Sequence, residues 1–180
     1  MTTCRRSGRA AFLMLGAIGL ALVTACRGKE AATPTDAVVQ FYTMRDAIGV
    51  QGAPTPKELA ALRPFIADTL ARGLVFADSV RESDKRRAPD EKPGYVEGDL
   101  FSSVFEGSTS FRVMPTLSTS APYVVPVEFT DERAKPVVRW IDTAIVIVER
   151  GRLVVQDVRY GGTWDFANKG SLLGQFVSMP

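Results

Sequence analysis

A β-rich stretch over residues 137–160 limits what this chain can fold into more than any other part of its sequence. It reads VVRWIDTAIVIVE, then a turn that contains Gly151, then LVVQDVRY. β-branched and aromatic residues dominate both runs, as they do in β-strands. The five apolar residues at 144–148 are typical of a strand that is buried on both faces. We therefore predict a long antiparallel hairpin at the centre of a sheet.

The first half of the chain carries two helix-start signals. Residues 33–36 (TPTD) and 55–58 (TPKE) both place a threonine before a proline, with an acidic residue three positions after the threonine. This order is typical of a helix N-cap. Pro64 should end the second helix early, and a third helix is predicted over residues 68–86. Apolar residues at helical spacing are expected to face the core: Val38, Phe41, Tyr42, Leu70, Leu74 and Ala77.

Two further runs upstream of the hairpin alternate between apolar and polar residues. They cover residues 110–114 and 123–129, and the second places Tyr123 on the same face as Phe129. Pro126 cannot donate to a strand ladder, so this strand is either an edge or turns that position away from its neighbour. Helices followed by strands predict an α+β fold, with N-terminal helices packed on a curved antiparallel sheet of about four strands. The sequence leaves open whether the hollow of such a cone is empty or filled.

The N-terminus has the pattern of an export signal. Three arginines and no acid precede an apolar stretch of 14 residues at 10–23, which is shorter than the roughly 20 residues that span a bilayer. The stretch ends in Val-Thr-Ala-Cys, which resembles the bacterial lipobox, with cleavage between Ala25 and Cys26 and a lipid on Cys26. A plain secretory peptide, or an uncleaved anchor with an incidental cysteine, is the alternative. We predict a signal peptide at 1–25, a lipidated tether at 26–32 and one domain at 33–180.

The composition of the chain limits the chemistry of the mature domain, and the residue after Cys26 indicates the membrane that would hold it. The cysteines are Cys4, in the leader, and Cys26, so the mature domain has no thiol for a disulfide or a metal, and the chain has no histidine. Without the three leader arginines, 19 basic residues face 20 acidic ones, which does not favour nucleic acid. We expect no cofactor and no metal. Arg27 follows the predicted lipidated cysteine, whereas an aspartate at this position favours retention of bacterial lipoproteins at the inner membrane. If the source has two membranes, we therefore expect the outer membrane, on its periplasmic side.

Several segments together resemble the nuclear transport factor 2-like superfamily. They are DAVVQFY at 36–42, the strand GRLVVQDVRY at 151–160 and the closing GGTWDFANKG at 161–170. Within the superfamily they are similar to the bacterial family called domain of unknown function 3828. The likeness covers residues 33–176. It implies a cone-shaped fold in a secreted or lipid-anchored protein more than it implies an activity.

The same resemblance raises the question of catalysis. Enzymes of the superfamily use an acid/base group buried in the cone, either an aspartate with tyrosine partners or a histidine–aspartate pair, and the second is excluded here. Asp142 and Asp157 remain, with Arg139 and Arg159 nearby in sequence. In an apolar hollow the pKa of Asp142 would rise, which suits a general base. Alternatively, each acid pairs with an arginine or with a strand-end amide.

We favour a non-catalytic binding or interaction domain over an enzyme. Its expected partners are the membrane, through the lipid anchor, and a small apolar ligand or another envelope protein. The residues predicted to contact such a ligand are Trp140, Tyr123, Tyr160 and Asp142. The alternatives are an isomerase- or hydratase-type enzyme that uses Asp142 as its base, and a structural module that self-associates as a homodimer through its sheet.

Overall fold

A computed structural model describes residues 30–177 as three helices, a four-stranded sheet and a short final helix. The predicted signal peptide and the lipidation site Cys26 lie outside the described residues. Within the described part, no helix has the length and apolar character needed to cross a membrane. The elements are α1 (Pro34–Ile48), α2 (Pro56–Leu62), a 3-10 turn (Arg63–Phe65), α3 (Asp68–Arg87), β1 (Ser110–Val113), β2 (Tyr123–Asp131), β3 (Val138–Glu149), β4 (Arg152–Arg159) and α4 (Leu172–Val177).

Both predicted helix starts are confirmed. The hydroxyl of Thr33 accepts the backbone N–H of Asp36, and the Asp36 carboxylate accepts the N–H of Thr33, both at 3.1 Å. Thr55 and Glu58 repeat this reciprocal pair at 2.7 and 3.3 Å. Each capping box satisfies two N–H groups that have no partner inside the helix. The second helix ends before Pro64, as predicted, and α3 extends one residue past the predicted end.

The sheet is antiparallel throughout, in the order β1-β2-β3-β4, which confirms the α+β class. The predicted position of the β3–β4 hairpin at the centre is wrong, because β4 is an edge strand. Strand β2 is internal although it contains Pro126. The carbonyl of Pro126 accepts the N–H of Met114, just past the end of β1, at 2.9 Å. In an antiparallel strand, the N–H and the C=O of one residue point to the same side of the strand. The position of the missing N–H of Pro126 therefore faces Met114, where β1 has already ended.

Strand β3 is buried on both faces only in its middle. Residues 144–146 are buried, as predicted, but Val148 is 54% exposed. The pairing of β3 with β4 shifts register between Ile145 and Val146. Val146 and its partner Val155 are still buried beyond this bulge, and the hairpin extends past the core only from Val148 onwards. The apolar run therefore overstates the length of strand that the core covers.

Helix α1 packs across the inner face of the sheet. Phe41 and Tyr42 are fully buried, and the ring of Tyr42 lies 5.2 Å from that of Phe129 on β2. The Tyr42 hydroxyl donates to the carbonyl of Phe101 at 3.0 Å, in the segment that leads into the sheet. The space under the sheet, which the sequence left either open or filled, is thus filled by these aromatic side chains.

Candidate functional site

Asp142 is the most highly connected polar side chain of the interior. It lies on the inner face of β3 with no exposure to solvent. Its carboxylate accepts the backbone N–H of Ser103 at 2.7 Å, the N–H of Gly161 at 2.8 Å and the indole N–H of Trp140 at 3.2 Å. The hydroxyl of Ser103 donates a fourth hydrogen bond. All four donors belong to the protein. The carboxylate therefore connects the sheet to the segment around Ser103, between α3 and β1, and to the turn after β4.

The protonation of Asp142 reflects two opposing effects. Burial raises the pKa of its carboxyl, while the hydrogen bonds from Gly161, Ser103 and Trp140 lower it, and burial prevails. Tyr160 lies close by, and its hydroxyl donates to the carbonyl of Leu100 at 2.7 Å. A general base needs an approach for the proton that it removes. Asp142 lines none of the three cavities described below.

The glycine pair after β4 is part of this arrangement. A Cβ on Gly161 would lie 2.0 Å from the carbonyl oxygen of Ile141, and one on Gly162 would lie 2.7 Å from the Cβ of Ser103. Only glycine allows so close a backbone approach. The sequence analysis included this glycine pair only in the closing segment at 161–170 and gave no role to Ser103. Two adjacent serines inside the apolar run at 100–104 (LFSSV) are the signal that could have revealed a buried polar contact.

The structure brings together three of the four predicted ligand contacts. Trp140 and Tyr160 both lie beside Asp142, whereas Tyr123 is paired opposite Val146, further along the sheet. Trp140 stacks on Phe129 with ring centroids 5.5 Å apart. These side chains pack against each other, so they build the core of the domain.

Asp157 has a different local role. Its carboxylate accepts the N–H of Val158 at 2.8 Å and the N–H of Leu173, in the first turn of α4, at 2.9 Å. An acceptor at a helix N-terminus satisfies a free donor and interacts favourably with the helix dipole. Neither Asp157 nor Asp142 forms an ion pair with Arg139 or Arg159 within the described residues. Of the two structural alternatives, pairing with an arginine or with a backbone amide, both acids adopt the second.

The largest of the three cavities described here lies elsewhere, on the outer side of α1. It has a volume of about 760 Å³ and is bounded by α1, α2 and the turn between β3 and β4. We call it the α1–α2 groove. Its apolar lining consists of Ala31, Ala37, Val39, Met44, Ala47, Ala60, Ala61, Pro64, Phe65 and Leu153, and its other lining residues are Glu30, Gln40, Thr43, Gly151 and Arg152.

The α1–α2 groove was not predicted from the sequence. The apolar spacing in α1 identified the face that packs on the sheet, but α1 also exposes Val39 and Ala47 on its other side, next to Met44 at the border of the core. Val39 is 41% exposed. A second set of apolar residues on a helix whose inner face is already buried is the signal that could have revealed the groove.

Two smaller cavities lie on either side of Trp164. Their volumes are about 390 Å³ and 240 Å³, and Trp140 lines both. Phe166 stacks on Trp164 at 6.2 Å and is itself 70% exposed. Trp164 packs against Trp140, whereas Phe166 lies outside this contact.

The fold and the groove together define an α+β protein with helices on one face of an open four-stranded sheet and an apolar groove at the border of the core. Comparisons with protein-family models, with curated proteins and with solved structures found no match. The likeness to the nuclear transport factor 2-like superfamily therefore stays a prediction. Within residues 30–177, no group of three acidic, cysteine or histidine side chains could hold a metal ion.

Proposed function

We propose that this chain is a membrane-tethered, non-catalytic binding domain of the bacterial envelope, and that its ligand site is the α1–α2 groove. The observation that carries the proposal is the groove itself. Its volume of about 760 Å³ falls in the range of roughly 300–1,000 Å³ that is usual for small-molecule sites. Its mostly apolar lining suits an apolar ligand.

Exposed apolar side chains support a binding role for this surface. Val39 presents 41% of its surface to solvent, and Ala47 and Ala60 beside it are also exposed. Burying apolar surface contributes about 25 cal/mol per Å². A ligand that covers these residues gains this free energy, whereas the residues under the sheet have already gained it by folding.

The position of the groove relative to the proposed anchor supports the same function. Glu30 and Ala31 line the groove, and Glu30 follows Cys26 by four residues. Four extended residues span at most about 14 Å. A lipid on Cys26 would therefore hold the groove close to the membrane surface, where apolar ligands concentrate. The outer membrane, on its periplasmic side, belongs to the same proposal because Arg27 follows the cysteine.

The geometry favours binding over the isomerase- or hydratase-type alternative. That alternative requires Asp142 to reach a substrate, and its carboxylate is occupied by four donors from the protein. Self-association is a separate hypothesis, and light scattering of the purified chain would test it by giving a monomer or a dimer mass.

The proposal can be tested by native mass spectrometry of the full-length protein extracted from membranes. Ala61→Trp fills the groove, and Ser83→Trp adds the same indole to an exposed position of α3, outside the groove. We expect the unchanged protein and Ser83→Trp to retain a small apolar molecule that Ala61→Trp lacks. The same bound species in all three proteins would contradict the groove as the ligand site.

A further inference from the structure

Arg152 is the cation that lines the α1–α2 groove. It lies between Gly151 and Leu153 at the β3–β4 turn, and all three residues contribute to the lining. Two other arginines at this end of the molecule, Arg63 and Arg150, both form ion pairs with Asp68. Within the described residues Arg152 forms none.

The nearest acid in the sheet register does not neutralise Arg152. Glu149 is paired directly opposite Arg152 across the turn. Its carboxylate instead accepts the backbone N–H of Asp68, at 3.1 and 3.3 Å, at the start of α3. Glu30, the other charged residue of the lining, is exposed and forms no ion pair with Arg152. Among the residues that the structure describes, the groove therefore combines apolar walls with one half-buried cation that forms no ion pair.

We propose that the groove binds a single-chain anionic amphiphile, a long-chain carboxylate, with its aliphatic chain along α1 and α2 and its carboxylate on Arg152. This inference rests on the proposed function of the groove. A guanidinium presents two parallel N–H groups that match the two oxygens of a carboxylate. Val39, Met44 and Phe65 supply apolar surface for the chain.

The guanidinium of Arg152 favours this ligand over neutral apolar molecules, while the acid of the lining, Glu30, is exposed. A neutral chain would gain the apolar contacts but leave the guanidinium without a partner. A carboxylate gains both, and its ion pair is screened less beside an apolar wall than in bulk water. Phospholipids of the bilayer, and a second copy of this chain laid across the groove, are the competing occupants.

Photolabelling of the full-length lipidated protein in nanodiscs of neutral lipid separates these occupants. The probes are a 16-carbon carboxylic acid with a diazirine in its chain and the methyl ester of the same acid. Labelled peptides are mapped by mass spectrometry. The variants are Arg152→Gln, Ala61→Trp and, as the matched control, Arg72→Gln, which removes an exposed arginine on α3 outside the groove.

We expect the acid to label peptides of α1 and α2 about tenfold more than the ester, the factor that about 1.4 kcal/mol provides. Arg152→Gln should bring the ratio close to one, and Arg72→Gln should leave it unchanged. Equal labelling by acid and ester in the unchanged protein would overturn the carboxylate inference and leave the groove as an apolar site. Labelling that Ala61→Trp does not reduce would overturn the groove itself. No labelling of α1 or α2, together with the mass of a dimer in light scattering of the same protein, would assign the groove to a dimer interface and overturn both.

Discussion

The space under the sheet and the α1–α2 groove differ in how they treat polar groups. Under the sheet, Asp142 accepts four hydrogen bonds and Arg45 pairs with Asp99 at 2.9 Å, so the buried charges have partners from the protein. In the groove, apolar side chains are exposed and Arg152 has no ion pair within the described residues. Charges satisfied internally hold a fold together, whereas unsatisfied apolar and charged groups at a surface are available to a ligand.

The largest expected effect is on the interior. Asp142→Ala leaves the N–H groups of Ser103, Gly161 and Trp140 without their buried acceptor. Each such loss costs about 1–3 kcal/mol, so we expect the free energy of unfolding to fall by at least about 3 kcal/mol in chemical denaturation. Asp142→Asn keeps one acceptor oxygen and should cost less. Equal stability of the alanine variant and the unchanged protein would show that the interior does not depend on this carboxylate.

Gly161→Ala tests the close approach between the turn and β3. The new Cβ would lie 2.0 Å from a backbone oxygen of Ile141, so the turn must move and its hydrogen bond to Asp142 must lengthen or break. We expect a loss of about 2–3 kcal/mol. Gly49→Ala, at a φ of +62° with open space around it, should cost only about 1 kcal/mol, for the backbone alone. Thermal unfolding of the two variants measures the difference between their losses of stability. A smaller loss for Gly161→Ala than for Gly49→Ala would contradict the close approach between the turn and β3.

Asp142 should also give the stability of the protein a distinctive pH dependence. Burial raises the pKa of this carboxyl in the folded state above its ordinary value of 3.8. Between the two pKa values the folded state binds more protons, so the free energy of unfolding falls as the pH rises through this window. Denaturation curves from acid to neutral pH, compared with Asp142→Asn, isolate this contribution. A slope of opposite sign would mean that the four hydrogen bonds outweigh burial.

The smallest effect on stability is expected in the groove. Ala61→Trp adds surface to a partly exposed position of α2, and we expect the free energy of unfolding to change by less than about 1 kcal/mol. Ser83→Trp should change it by a similar amount, since both replace a helical residue with tryptophan. Ligand retention should nevertheless be lost only in Ala61→Trp. A large destabilisation by Ala61→Trp would mean that the groove is part of the core. The interior under the sheet and the α1–α2 groove would then not differ in their contribution to stability.

The local signals in the sequence were sufficient for the fold class. The threonine-proline starts at 33 and 55 placed two helices, because a capping box depends only on residues a few positions apart. The position of the hairpin in the sheet was wrong, because strand order depends on contacts between distant segments. A run such as 144–148 is equally apolar in a central strand and in one that continues past the core.

The candidate site was less accessible to sequence analysis. Asp142 was identified as a candidate acid whose burial the sequence left open, and its partners Ser103 and Gly161 come from segments 39 and 19 residues away. The groove depends on the relative placement of α1, α2 and the β3–β4 turn, so no single segment contains it. Arg152 could not be distinguished from Arg150 by sequence, since only the structure pairs Arg150 with Asp68.

Ala31 forms part of the groove wall and follows Cys26 by only five residues. Five extended residues reach at most about 18 Å, so in a chain anchored at Cys26 the groove cannot move far from the lipid. Ligand would then arrive by lateral diffusion within the leaflet, in two dimensions. The rate of loading would then follow the composition of that leaflet.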